Sequence, residues 1–423
     1  MRRSSLLYIY IFLICILPNG IGFHFGIDIR IWMILAIILL FPSFLGLFAH
    51  RIKLDKLDIS VLVLIILLSF YAFYGFGIKS GLGSIEKNFL YLFLPYFAGR
   101  YFIRNKKDLL KFFHVLGFIS IVVSLIVLLE FYLGRGLFDF SGLMINQEDR
   151  WISSSLFHER HGLYRAAATF VHPIWLGIFL LMSALINVLI LVYGKIVRTS
   201  FAKMILITQI GLAAVATMIS QSRTAIVSFA LVVFFVFLIN IKKRKLASTF
   251  AILLLASLII IPVIYFFFND YLNNFILFNL SSEGYSQRNL IARIKIVIGS
   301  IEHIFKYVNL FGEASFNHFE LRQFVMTQDL TNGFLRMLLL NGLFCTLLYM
   351  YIWLKGIKES YKFSKYSIYG SILFFIMIYL FIADNATVLR FQVQIIFFII
   401  LGITFNPYLR KRRSSKTRFF QEM

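Results

Sequence analysis

Residues 281–332 read SSEGYSQRNLIARIKIVIGSIEHIFKYVNLFGEASFNHFELRQFVMTQDLTN and make up most of 268–332, the longest stretch of the chain that is not lipid-like. Within it, Ile291, Ile294, Ile298, Ile301 and Phe305 recur at three- and four-residue spacing, which predicts a helix with one apolar face. Arg288, Lys295, Glu302 and Lys306 fall on the other side. A helix divided in this way lies along a bilayer surface or closes over a protein cavity, its apolar stripe covered. A plain cap that only links two spans fits the same pattern. An apolar run at 246–268 leads into the stretch, and at Gly333 the chain becomes apolar again. A polar island between two membrane-length runs defines the class: an all-α integral membrane protein with a large segment on one face.

Composition agrees. Of the 423 residues, 60% are hydrophobic and only 14% charged, with a mean hydropathy of +0.85, which no ordinary soluble domain shows. Cys15 and Cys345 both lie inside apolar runs, so neither a disulfide framework nor a cysteine metal cluster is available. The opening MRRSSLLYIYIFLICILPNG has the basic start and apolar centre of a signal peptide. It lacks a small-residue cleavage site and many spans follow, so it reads as a retained first helix.

Apolar runs of bilayer length fall near 5–22, 28–48, 58–77, 88–103, 109–133, 173–193, 199–219, 224–240, 246–268, 333–354, 367–383 and 388–406, about twelve transmembrane helices in all. The run at 88–103 is short, and its Pro95 predicts a kink or a tilted entry. About 27 of the 42 lysines and arginines, against about 5 of the 19 acidic residues, fall on one set of connections, which the positive-inside rule makes cytoplasmic. The net charge of +23 is thus a topology signal and not a nucleic-acid footprint. Both termini are expected inside, and two long segments, 134–172 and 268–332, outside. Connections of that length between membrane helices call for a function. No convincing internal repeat is present, which weakens a transporter of two similar halves.

In this topology the even-numbered helices start at the outer face, and three starts are chemically unusual. HGLYRAAATFVHPIWLG (161–177) places Arg165, His172 and Pro173 at the sixth; SQSRTAIVSF (220–229) places Arg223 at the eighth; QDLTNGFLRMLLLNGL (328–343) places Asp329, Asn332 and Arg336 at the tenth. Helix N-termini offer unpaired N–H groups and the positive end of the dipole. Arginine added there makes an anion site whose fork suits phosphate oxygens. Arg288 stands in the same relation to the amphipathic helix. Plainer readings fit each residue singly: Arg223 as a snorkelling arginine, Pro173 as helix punctuation, His172 and His318 as satisfied polar groups. The case for a site is the coincidence of three polar helix entries on the face that carries the long segments. No phosphate-binding loop, dinucleotide fingerprint or metal-ligand cluster is present in the sequence.

At these entries the chain resembles the O-antigen ligase and polymerase superfamily of bacterial envelope glycosyltransferases. Four places carry the resemblance, over roughly 150–345: Arg165-Ala-Ala-Ala-Thr169-Phe170-Val-His172-Pro173; Ser222-Arg223-Thr224-Ala225; Arg288 with the helix leading to Leu310-Phe311-Gly312; and Asn332-Gly-Phe-Leu335, followed by Gly342. The ligase branch has a histidine immediately before the equivalent of Asn332, whereas this chain has Thr331, which favours the polymerase branch. The resemblance implies a donor glycan on undecaprenyl diphosphate, a lipid-linked acceptor, the bacterial cytoplasmic membrane, and no need of a metal or nucleotide sugar. It makes a flippase and a chain-length regulator candidate partners. It also implies roles: Arg165, Arg223 and Arg288, with His172 and Asn332, hold the diphosphate, and Asp329 or His318 acts as base. Ligation of finished polymer onto a lipid core, and transport of lipid-linked glycan without chemistry, are the competing expectations.

Overall fold

A computed structural model describes residues 3–18, 22–24, 28–49, 54–137, 159–160, 163–170, 172–193, 199–240, 333–406 and 409. The amphipathic helix expected at 288–306, the run at 246–268 and nearly all of the two long outer segments lie outside the described residues.

The described chain is all-helical apart from two very short antiparallel hairpins, Gly22–His24 with Asp28–Arg30 and Glu159–Arg160 with Leu163–Tyr164. Its helices are α1 (Arg3–Ile16), α2 (Ile31–Ala49), α3 (Lys56–Asn88), α4 (Leu94–Phe102), α5 (Lys106–Leu133), α6 (Pro173–Val192), α7 (Ser200–Ile219), α8 (Arg223–Asn240), α9 (Gly333–Ser364), α10 (Ile368–Ala386) and α11 (Phe391–Thr404). Six of them, α3, α5, α6, α7, α9 and α10, contain segments long and apolar enough to cross a membrane, and α1, α2, α8 and α11 carry shorter apolar stretches. The chain therefore reads as a membrane protein. At its centre α6 packs against α5, α7, α8 and α10 and is buried nearly all round, as its uninterrupted apolar sequence requires.

The short run around Pro95 resolves into two pieces. Phe89–Phe93 is a π-turn, with the Leu94 N–H reaching the Phe89 carbonyl, and Pro95 then sits in the first turn of α4, where its missing N–H costs nothing. The α4 helix packs tightly on α11: a Cβ on Gly402 would collide with the Tyr96 carbonyl, so only glycine lets the two backbones meet.

Both of the longest helices are helical hairpins. Gly77 in α3 (φ 82°, ψ −179°) and Gly342 in α9 (φ 76°, ψ −179°) adopt a backbone conformation that is essentially restricted to glycine. Beyond Gly77 the chain runs back along itself, so that Asn88 Nδ2 donates to Ser69 Oγ (3.3 Å) and Ser84 Oγ to the Leu68 carbonyl (3.4 Å). Around Gly342 the rings of Phe334 and Tyr349 lie 5.4 Å apart, whereas a straight helix would separate the two residues by about 22 Å. This corrects the single span expected at 333–354. Residues 333–341 form a short returning arm, and the part beyond Gly342, to Ser364, is the piece of bilayer length, about 33 Å. Hydropathy is uniform across the hinge and carries no trace of it.

The two ends of the bundle differ. At one end Tyr8 at the start of α1 donates to the Asp108 carbonyl at the start of α5 (2.7 Å), and Asn406 after α11 donates to the Arg100 carbonyl (2.6 Å). Arg100, buried, bridges Asp55 (3.0 Å) and Asp58, and Tyr96 donates to Asp58 (2.6 Å). The opposite end collects the connections that precede α6, α8 and α11.

The hinge and the close contact give a first prediction. Gly342→Ala should destabilise the protein by about 1–3 kcal/mol through backbone strain, and Gly402→Val by a similar amount through overpacking. Thermal unfolding in detergent should show both midpoints lowered, while Gly83→Ala, whose site is open, stays near the parent.

Candidate functional site

The site is built from four chain breaks at one end of the bundle, and its first anchor is the entry to α6. Pro173 opens the helix and His172 caps it: the Ile174 N–H donates to His172 Nδ1 at 3.1 Å. With Nδ1 serving as acceptor, the neutral ring carries its proton on Nε2. The Trp175 ring lies 5.5 Å from the imidazole, and its Nε1–H donates to the Val388 carbonyl (3.0 Å) in the link between α10 and α11.

Seven residues earlier, Arg165 is buried and its Nε–H donates to the Ser220 carbonyl (3.2 Å) between α7 and α8. Ser222 Oγ donates back to the Ile174 carbonyl at 3.4 Å. Arg223 is the first residue of α8, three positions past the carbonyl that orients Arg165. The structure thus brings the chain positions of Arg165, His172 and Arg223 to one place. Arg288, His318, Asp329 and Asn332 lie outside the described residues.

Two residues other than glycine have positive φ among the described residues, Ala168 (49°) and Gln221 (52°), and each belongs to one of the two connections that Arg165 joins. Non-glycine residues are uncommon in that region, and such strain is held only where surrounding contacts over-determine it. For Ala168 the contact is a carboxylate. Glu130, only 2% exposed, takes the Ala168 N–H on Oε2 (2.9 Å) and the Leu137 N–H on Oε1 (3.1 Å). One side chain therefore pins both roots of the 134–172 segment. Thr169 adds two more ties: its hydroxyl donates to the Cys15 carbonyl, and its carbonyl accepts from Gln392 Nε2 (3.3 Å).

Reasoning from sequence alone missed three members of this end: Glu130, Asp384 and Arg390. The Arg390 guanidinium lies over the Trp175 ring, 5.7 Å from its centre. Asp384, 1% exposed, accepts the Leu389 N–H on Oδ1 (3.0 Å) and the Tyr349 hydroxyl on Oδ2 (2.9 Å). For Glu130 and Arg390 the available signal was that ionisable residues within membrane-length apolar runs are rare and functional by default, whereas Asp384 falls one residue past the run at 367–383. Arg165 and the oriented imidazole of His172 are groups of a kind that can hold an anion, and such contacts are strongest where water is excluded.

No family model matches the chain, and no curated protein matches it.

The Glu130 clamp is testable apart from any activity. Glu130→Ala leaves two backbone N–H groups without their acceptor and should destabilise by about 1–3 kcal/mol. Glu130→Gln keeps one acceptor oxygen and should fall between the two. Unfolding midpoints of purified protein would rank the three, and equal midpoints for Ala and parent would remove the clamp.

Proposed function

We propose that the chain is a membrane glycosyltransferase of the polymerase kind, joining undecaprenyl-diphosphate-linked oligosaccharide repeats at the outer face of the bacterial cytoplasmic membrane. The observation that carries this reading is the meeting of Arg165, the His172 cap and the Arg223 helix start at one end of an apolar bundle. The roots of the 134–172 segment and the start of α9, where the 268–332 segment ends, belong to the same end. The full architecture in this proposal has about twelve spans, both termini in the cytoplasm, and 134–172 and 268–332 outside.

The reaction follows from the groups. A hydroxyl of the acceptor repeat attacks the anomeric carbon of the donor glycan, and the bond from that carbon to the diphosphate oxygen breaks. The lipid diphosphate departs with the electron pair, and its developing charge is what the guanidinium groups of Arg165, Arg223 and Arg288 stabilise. His172, as a donor through Nε2, and Asn332 add hydrogen bonds to the diphosphate. Asp329 or His318 takes the proton of the attacking hydroxyl. The 288–306 helix closes over the glycan. A flippase that delivers the repeats and a chain-length regulator are the partners such an enzyme works beside.

The envelope glycan ladder of a deletion strain tests this. Loss of a polymerase leaves lipid cores bearing a single repeat. Cores with none, and polymer held on its carrier, would instead identify a ligase; repeats stranded inside the cell would identify a flippase. At matched protein level, Arg223→Ala should abolish polymer, and Arg223→Lys, which keeps the charge and loses the planar fork, should be severely impaired. A normal ladder from Arg223→Ala would reduce that residue to a snorkelling arginine. Topology is checked separately. Cys15 and Cys345 are buried, so cysteines introduced at Ser141 and Ser282 should dominate labelling by a membrane-impermeant thiol reagent. A cysteine at Ser415 should stay unlabelled in intact cells, and its labelling would reverse the orientation.

A further inference from the structure

Between α3, the 333–341 arm of α9, α10 and α11 lies a cavity of about 120 Å³. Arg336, Asn341, Tyr349, Asp384 and Gln394 line it together with aliphatic and aromatic groups such as Leu64, Leu340 and Phe398. Its wall at Val388 and Leu389 is the link whose other contacts are Trp175 and Asp384. The cavity therefore adjoins the Arg165–His172 cluster across one short stretch of chain.

We propose that this cavity is a subsite for one sugar ring of the lipid-linked repeat, which rests on the glycosyltransferase reading above. Size is the first argument: a cavity of about 150 Å³ is known to admit one benzene-sized ring, so about 120 Å³ suits part or all of a single six-membered ring and no oligosaccharide. Chemistry is the second. The lining holds one guanidinium and one carboxylate, two amides that both donate and accept, and a phenol hydroxyl. A diphosphate here would meet the Asp384 carboxylate, and an organic cation would meet Arg336. A prenyl chain would leave Arg336 and the amides of Asn341 and Gln394 facing hydrocarbon, where a polar group without a partner costs about 1–3 kcal/mol. A neutral ring with hydroxyls on its edge and C–H groups on its face satisfies both kinds of lining.

Asp384 is built to take part. Each carboxylate oxygen already holds one donor, Leu389 N–H or Tyr349 O–H, and each has a second lone pair for a sugar hydroxyl. The arm approaches so closely that a Cβ on Gly333 would stand 2.7 Å from the carboxylate, so glycine at this position is what lets the arm form a wall of the cavity.

Three variants test the subsite in a strain carrying the chain as its sole copy. Asp384→Asn keeps the shape and the Leu389 contact but loses a carboxylate acceptor. Leu340→Phe fills the cavity without touching its polar groups, and Gln394→Leu removes an amide with little change in volume. Each should lower polymer at least tenfold and raise single-repeat lipid cores, with membrane protein level within twofold of the parent and the unfolding midpoint of purified Leu340→Phe unchanged or higher. A normal ladder from Leu340→Phe or Gln394→Leu at normal protein level would overturn the subsite and leave a water-filled void. If Leu340→Phe fails to accumulate, Gln394→Leu decides alone. Normal ladders in all three beside a polymer-free Arg223→Ala would defeat only this inference, whereas a normal ladder in the deletion strain would defeat the glycosyltransferase reading itself.

Discussion

Inside hydrocarbon a backbone N–H or carbonyl has no water to turn to, so each place where a helix stops must be satisfied by something the protein supplies. The buried polar side chains of this chain do that work. Glu130 takes the N–H groups of Leu137 and Ala168, Asp384 takes that of Leu389, and His172 takes that of Ile174. Arg165 and Trp175 donate to the Ser220 and Val388 carbonyls, and Asn406 serves the end of α4. Residues that look like a catalytic inventory are thus also the means by which helices can end near one another. The candidate site and the fold share the same atoms here, so a substitution at the one also disturbs the other.

The two ends of the bundle use buried charge differently. Around Arg100 the partners converge: Asp55, Asp58 and Tyr96 meet one guanidinium, and Asp55 with Asp58 also forms the capping box that starts α3. Such a knot adds little net stability over an apolar packing of the same shape, but removing one member strands the others, which holds α3 and α4 in one arrangement. At the opposite end charge is spread over several chain breaks and borders a cavity. Charge gathered on one guanidinium at one end, and spread along chain breaks and a cavity wall at the other, distinguishes the two faces of the bundle.

Much of the architecture was legible in the apolar runs because lipid imposes a single requirement, length with hydrophobicity, that a sequence displays directly. The positions of α5, α6 and α7 follow from 109–133, 173–193 and 199–219 almost residue for residue. Pro95 announced an irregularity, since a missing N–H is a local property. Gly342 gave no such notice. A glycine in an apolar run reads as packing, and only backbone geometry reveals a reversal. The neighbourhood of Arg165 and Arg223 could be reached from sequence only through an assumed up-and-down topology. Glu130 was passed over because one carboxylate among twenty apolar residues barely changes the hydropathy of its surroundings, and Asp384 because it falls just past the run at 367–383 and reads as part of a connection, though both are buried.

The reversal at Gly342 also bears on how the protein is made. The arm from Gly333 to Asn341 is nine residues, about 14 Å of helix, less than half the thickness of a bilayer core. It is too short to be inserted as a span in its own right. Its partners, Phe381 against Phe334 and Asp384 against Gly333, belong to α10, which is synthesised some forty to fifty residues later. The α3 side of the cavity is already in the membrane when the arm leaves the ribosome, but the arm's contacts with α10 form only after that helix has been made. The wall that the arm gives to the cavity is therefore completed late, once α10 and α11 stand opposite it.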